Sequence, residues 1–294
     1  MKVIIGIPAF NEEKNIGAIV AKLKIKYDHV IVCDDGSSDM TETIASSLGA
    51  IVVKHSKNLG YGAAIKTIFN ESKKIDGDVL VTFDADGQHQ IEDIQNVVEP
   101  ILKKEADIVI GSRFLEENVK NMVPGYRKLG IKTITKLTNM SIKENLTDSQ
   151  SGFRAYSKNV LNEISPTDSG MGISTEILIK SSNKNMKITE VPITISYENN
   201  SHSQEPISHG ASVIVSTIKH VAMERPLLYY GVTGLFFLIV GLIFGGWTIQ
   251  IYSETGSVTT NIALVGIGGV ILGTILLITA TILYSIANVV REKK

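Results

Sequence analysis

The N-terminal third of the chain alternates short apolar runs with stretches in which apolar positions recur every three or four residues. The runs VIIGIP (3–8), HVIVCDD (29–35), AIVVKH (50–55), DVLVTFDAD (78–86) and DIVIGS (107–112) are continuously apolar. Continuity of that kind predicts strands buried on both faces. Between them, 15–25, 41–48, 63–74 and 91–104 carry helical spacing, with Asp39 as N-cap of the second helix and Gly49 ending it. Strands alternating with helices imply an α/β domain with a mostly parallel sheet flanked by helices. Ligands of such sheets bind beyond the carboxyl ends of the strands. The polar clusters 8–13, 34–39 and 84–89 fall at those ends.

The pattern loosens over 112–140. The stretch PGYRKLGIKTITKLTNM mixes Lys and Arg with Ile, Leu and Met at helical spacing. It reads either as a basic amphipathic helix on a membrane surface or as a solvated helix packed on the sheet. Residues 210–223 form a second apolar-faced stretch, read as an interfacial helix leading into the first of two long apolar runs, 227–251 and 262–290. Each run exceeds the roughly 20 residues that cross a bilayer. The expected organisation is a polar domain over 1–200, a juxtamembrane segment over 201–226 and a two-helix anchor over 227–294. Lys219, His220 and Arg225 precede the first span, Arg291, Lys293 and Lys294 follow the second, and the connection carries only Glu254. The positive-inside rule then places both termini and the main domain on the cytoplasmic side of the cell membrane or its equivalent. The opening residues MKVIIGIPAFNEE read as a strand rather than a signal peptide.

Composition changes this picture little until it is divided. Over 294 residues the net charge is −1, with 44% hydrophobic and 20% charged positions. From Leu227 onward the only charged residues are Glu254, Arg291, Glu292, Lys293 and Lys294, so the average conceals a polar domain joined to an almost uncharged tail. The near-zero charge gives no support to a nucleic-acid partner. A single cysteine, Cys33, excludes a disulfide framework and a multi-cysteine metal site.

The candidate chemistry lies in the strand-end clusters. Asp84-Ala85-Asp86, followed by Gln88 and His89, ends a buried strand in two carboxylates flanking a small residue. Oxygen donors of that kind suit Mg²⁺ or Mn²⁺ completed by diphosphate oxygens, the bland alternative being a solvated turn. Asp34-Asp35-Gly36-Ser37-Ser38-Asp39 offers carboxylates that can accept from a ribose or a base, or a turn and helix cap. Pro8 to Glu13 leads from a strand into a helix, where the acids can also serve the helix dipole. Asn58 to Ala64 is a glycine-rich turn whose amides can approach an anion.

The blocks PAFNEE, DDGSSD, NLGYGAA, DADGQH, GSR (111–113) and SGFRAY (151–156), in this order and spacing, resemble glycosyltransferase family 2 over about residues 1–225. With the apolar tail, the chain looks most like the branch of dolichyl-phosphate mannose synthases and polyprenyl-phosphate glucosyltransferases. The resemblance implies a GT-A fold. It implies inverting, metal-dependent transfer of a hexose from UDP-glucose or GDP-mannose to dolichyl or polyprenyl phosphate at a bilayer. It carries nucleotide-sugar contacts to Pro8, Ala9, Glu12, Asp34, Asp35 and Asp84, and metal binding to Asp84, Asp86 and Gln88. Arg113 and Arg154 take phosphate or acceptor roles, with Asp84 at the centre of the chemistry, and Asp148 matches a position associated with acid or base work. The lipid phosphate falls to Arg113, Arg127, Lys128 and Lys132. Two departures stand out: Tyr61 occupies a position where this branch often has Lys, and 197–210 carries only His202 and His209 as candidate cations. A processive polysaccharide synthase is the alternative enzyme, but its Q-x-x-R-W block is missing, the one tryptophan being Trp247 within a span. A non-catalytic sugar-nucleotide-binding subunit is disfavoured by the intact acidic triad. Glycine-bearing spans leave homo-oligomerisation open.

Overall fold

A computed structural model describes residues 1–116, 125–195, 222 and 226–292, without the side chains of 126, 127 and 287–292. The chain divides into two units, Met1–Thr217 and Ile218–Lys294. The expected juxtamembrane segment 201–226, including the helix over 210–223, lies outside the described residues except at 222 and 226.

The first unit is a seven-stranded sheet with helices against it. The strands are β1 (Val3–Ala9), β2 (His29–Asp34), β3 (Ile51–Lys54), β4 (Val79–Thr82), β5 (Ile108–Ser112), β6 (Arg154–Ser157) and β7 (Ile188–Pro192), in the order β3-β2-β1-β4-β6-β5-β7. All five strands read from the apolar runs are present. Neighbours pair in parallel except β6, which runs antiparallel between β4 and β5. Neither β6 nor β7 was expected. RAYS is short and half polar, and β7 is an edge strand with only Ile188 fully buried, so neither produces an apolar run.

The helices α1 (Ile16–Lys26), α2 (Thr41–Ser47), α3 (Tyr61–Lys74) and α4 (Ile94–Leu102) fall where the spacing put them. A 3₁₀ turn, Ile91–Asp93, precedes α4. The N-cap of α2 is Met40, one residue past the expected Asp39. The Asp39 carboxylate still accepts the Thr41 N–H at 3.0 Å and the Glu13 N–H at 3.1 Å. The basic stretch is helical as α5 (Gly125–Asn139), followed by α6 (Lys158–Glu163) and α7 (Ile173–Asn183). Helix α7 buries residues almost all round, Glu176 among them, so it has no amphipathic stripe to read.

The chain leaves β1 toward β2 and β3, then crosses back to β4 on the other side of β1. The crevice between β1 and β4 at their carboxyl ends is therefore a topological switch point, where α/β sheets bind ligands. The fully buried Ile5, Ile7, Val81, Phe83 and Phe153 pack beneath it, each contributing about 1.5–3 kcal/mol.

The second unit opens with a π-helical turn, Leu227–Gly231, and continues as α8 (Val232–Thr255) and α9 (Thr260–Glu292). Both are long and apolar enough to cross a membrane, and only 11% of each apolar window is buried, unlike the core helices of a soluble domain. Glycines set how closely they pack. A Cβ on Gly241 would collide with the Val270 backbone, and one on Gly273 would lie 2.5 Å from Leu238 N.

Candidate functional site

Three loops meet at the switch point. The loop after β1 and the loop after β2 brace each other. The Asn11 N–H donates to Ser37 Oγ at 2.9 Å, and Asn11 Oδ1 accepts from Ser38 N at 2.9 Å. Asn11 holds this geometry at φ +56°, a left-handed conformation that Asn tolerates better than most residues. The Glu12 N–H donates to Thr41 Oγ1 at 2.8 Å. Pro8 and Ala9, at the end of β1, pair with Cys33 and Asp34. Burial first, and then the negative charges of Asp86, Asp39 and Asp84, outweigh a bond from Asn15 and hold the Glu12 carboxyl above its ordinary range.

The adjacent acids Asp34 and Asp35 do different work. Asp34 is fully buried; its Oδ1 accepts the Ser37 N–H at 3.0 Å, and its Oδ2 has no hydrogen-bond partner in the protein. A buried carboxylate oxygen left unpaired is costly unless a ligand N–H or O–H reaches it. Asp35 is committed. Its Oδ1 lies 2.6 Å from His55 Nδ1 and accepts the Leu59 N–H at 2.9 Å, and its Oδ2 accepts the Gly60 N–H at 2.8 Å. Two amides of the glycine-rich turn, those of Leu59 and Gly60, thus serve the protein's own carboxylate rather than an external anion. Its glycines answer a different need: Cβ atoms on Gly60 and Gly62 would lie 2.6 Å from the carbonyls of Ser169 and Asp168. His55, which the sequence reading did not single out, completes the arrangement by bonding Thr67 Oγ1 at 2.9 Å.

Beyond β4, Asp84 and Asp86 stand at the same end of the sheet. Burial, and then the charge of Asp84, push the Asp86 carboxyl up despite the Gln88 N–H it accepts at 3.0 Å. Two crowded carboxylates of this kind favour a bound cation. Among the described residues, no group of three or more His, Cys, Asp or Glu is placed to hold a metal by itself. The donor set, two carboxylates beside Gln88, fits a hard divalent ion that takes its remaining oxygens from water or a diphosphate. Gly152 supports the same fit. A Cβ there would lie 2.6 and 2.7 Å from the Asp84 oxygens and 2.9 Å from the Tyr61 hydroxyl, so the missing side chain leaves a cradle for Asp84. A cavity of about 750 Å³ runs along this loop, lined in part by Lys14, Lys22, Asp86 and Gln88. Lys22 comes from α1 and Lys14 from the turn before it, and neither was anticipated.

Arg113 and Asp148 form a bidentate pair, Nε to Oδ2 at 2.6 Å and Nη2 to Oδ1 at 2.8 Å. Asp148 has no exposed side-chain surface. Burial alone would raise its carboxyl, but the Arg113 guanidinium holds it below the ordinary carboxylate range. Such a group suits the fixing of Arg113 better than the acid or base role expected from the resemblance. Glu190 of β7 anchors the turn, its carboxylate accepting the N–H groups of Thr147 at 2.7 Å and Asp148 at 2.8 Å. A non-local contact of this sort leaves no short-range signal in the sequence.

Arg154 departs from its expected phosphate or acceptor role. It is 1% exposed, and its guanidinium donates to the carbonyls of Ser151, Ser174 and Ser149 at 2.7, 2.8 and 2.7 Å. It is a structural bolt between β6 and the start of α7. On α5, Lys132 is exposed and Lys128 half-buried, while the Arg127 side chain lies outside the described residues. Lys132 lines an open cavity of about 550 Å³ with Phe114 and Thr147, the neighbours of Arg113 and Asp148.

Comparison with known proteins gives the family and the fold. The UDP-N-acetylglucosamine–dolichyl-phosphate N-acetylglucosaminyltransferase of Methanococcus voltae is 34% identical over 229 residues, covering 71% of this chain and 89% of the relative. The dolichol-phosphate mannosyltransferase of Pyrococcus furiosus is 33% identical over 205 residues, covering 66% of this chain and 56% of the relative. Among solved structures, glucosyl-3-phosphoglycerate synthase of Mycobacterium tuberculosis, crystallised with Mn²⁺, UDP and phosphoglyceric acid, superposes with a TM-score of 0.58 at 21% identity. It covers 75% of this chain and 78% of that one, and shows a shared GT-A-like fold. Residues 4–165, which carry the strand ends just described, match the family described as Glycosyl transferase family 2, and with more than half of its length inside that match the chain belongs to this family.

Proposed function

We propose that this chain transfers a hexose from a nucleotide sugar, UDP-glucose or GDP-mannose, to a dolichyl or polyprenyl phosphate at a membrane surface. The observation that carries the reading is the Asp84–Asp86 pair beyond β4 at the switch point, with Asp84 seated over Gly152, together with the unpaired Asp34 Oδ2 at the end of β2. Relatives named for transfer to dolichyl phosphate support the acceptor class.

In this reading Asp34 Oδ2 accepts an N–H or O–H of the nucleoside, with Pro8, Ala9 and Glu12 forming the adjoining wall. Asp84, Asp86 and Gln88 would hold Mg²⁺ or Mn²⁺, whose remaining oxygens the diphosphate would supply. When bound, the ion offsets the negative charge that develops on the leaving diphosphate. A phosphate oxygen of the lipid attacks the anomeric carbon as the bond to the diphosphate breaks, so the configuration inverts. That oxygen is already anionic near neutral pH, and no protein base has to deprotonate it. The remaining task is to bring two anions together. Arg113, held by Asp148, serves the acceptor phosphate, with Arg127, Lys128 and Lys132 as further cations. The apolar helices α8 and α9 tether the domain to the bilayer, which raises the effective concentration of a lipid acceptor. Both termini and the catalytic domain face the cytoplasm.

The test is incubation of membranes containing the chain with Mg²⁺, polyprenyl phosphate and radiolabelled UDP-glucose, GDP-mannose or UDP-N-acetylglucosamine. The Methanococcus voltae relative puts the last donor on the panel. One donor is expected to label the lipid fraction, and Asp86→Ala is expected to abolish labelling while the chain stays in the membrane. Absence of labelled lipid with every donor would overturn the reading.

A further inference from the structure

The Asp84 carboxylate is oriented by a neighbour that the proposed chemistry has not used. His89 Nε2 lies 3.2 Å from Asp84 Oδ2, and the imidazole is almost wholly buried. Its Nδ1 is buried with no hydrogen-bond partner. A proton on Nδ1 would be stranded there, so the ring carries its N–H on Nε2, where Asp84 accepts it. Aromatic rings fix its plane. His89 stacks on Phe153 with centroids 5.1 Å apart at 29°, and meets Phe83 edge to face at 5.9 Å and 65°.

The loop that carries His89 is pinned separately, without its imidazole. His89 forms an isolated antiparallel bridge with Ile195, and Asp93 Oδ2 accepts the Thr194 N–H at 2.7 Å. Changing the side chain therefore removes the N–H without removing what docks the loop.

We propose that His89 is a positioning residue for the metal site: its Nε2–H holds one oxygen of Asp84 so that the other is presented to the divalent ion. This rests on the metal reading given above. Gly152 leaves room for both Asp84 oxygens, and His89 engages one of them, Oδ2, so the His89 bond is what selects one carboxylate orientation within that space. Removal of a hydrogen-bond partner behind a metal ligand typically weakens metal binding about 10–100-fold.

The test uses the whole 294-residue chain in detergent, with Mn²⁺ binding followed by electron paramagnetic resonance in saturating UDP and, in a parallel arm, GDP. His89→Phe keeps the aromatic packing and loses the donor, His89→Leu loses both, and His89→Gln returns an N–H near the Nε2 position. Phe and Leu are expected to weaken Mn²⁺ binding by about tenfold or more, and Gln to recover much of the loss. Nucleotide affinity without metal should stay unchanged. Thermal unfolding identifies any variant that has lost its fold, and the inference is read from those that retain it, Gln being the mildest. Mn²⁺ affinity unchanged in folded Phe or Leu variants, or no recovery in Gln, overturns the positioning role. Failure of the wild-type chain to bind Mn²⁺ in either arm overturns the metal reading itself, which keeps the two failures apart.

Discussion

At Gly152 the missing side chain is itself part of the site. The space a methyl group would take holds both oxygens of Asp84 and the Tyr61 hydroxyl. Gly152→Ala must turn Asp84 away, and we expect sugar transfer to fall at least tenfold, with unchanged membrane insertion and an unfolding temperature within a few degrees of wild type. A lipid-labelling assay beside a thermal melt checks this. A second residue-scale prediction concerns Asp148, whose folded-state carboxyl is held below the ordinary value by Arg113. A depressed carboxyl contributes stability that is present above the unfolded value of about 3.9 and is lost as pH falls through the folded value. Unfolding temperature should therefore drop more steeply below about pH 4 in the wild type than in Asp148→Asn. At neutral pH the variant should be the less stable by about 3 kcal/mol, because it leaves Arg113 without its buried partner. Parallel melts across pH test both statements. At this scale the acids at the strand ends were legible, since each follows an apolar run. The division of labour between Asp34 and Asp35 was not, because it depends on His55 and on the amides of a turn more than twenty positions away. Nor was the burial of Arg154, whose three carbonyl partners come from the loop before β6 and from the first turn of α7.

Among the elements, the sheet shows both success and failure of pattern reading. Strands β1, β2, β4 and β5 are apolar on both faces and were found; β6 is hidden within a motif read for its chemistry. Its antiparallel insertion brings Gly152 and Phe153 beside β4 and so builds the floor under Asp84. The apolar helices provide a direct test of packing. Gly241 lies against the α9 backbone, whereas a Cβ on Gly246 meets nothing within 4 Å. Gly241→Leu is expected to force α8 and α9 apart, lowering the yield and unfolding temperature of the detergent-solubilised chain. Gly246→Leu should behave as wild type. Close approach of this kind is how small residues stabilise helix pairs in lipid, where burial of apolar surface supplies no drive.

For the whole molecule, the proposed orientation leaves the connection between α8 and α9 on the side opposite the catalytic domain. The chain is well suited to a labelling test. Its one cysteine, Cys33, is buried, and burial, with the charge of Asp35 next, pushes its thiol up to about 12. It should be silent to a membrane-impermeant maleimide. Ser257→Cys should then be labelled from outside intact cells, and labelling only after the cytoplasmic face is exposed would reverse the orientation. Sequence alone determined the alternation of buried strands and helices, the acids at their ends and the uncharged apolar tail. Each is a local pattern, repeated along the chain and imposed by the need to bury apolar surface and satisfy backbone groups. Tertiary structure decided which acids remain available to a ligand. Asp35 and Asp148 are saturated by partners distant in sequence, Asp34 keeps an unpaired oxygen, and Asp84 faces a space that exists only because β6 lies next to β4. Those outcomes follow from packing, which sets the partner of each buried charge, and no spacing along the chain records it.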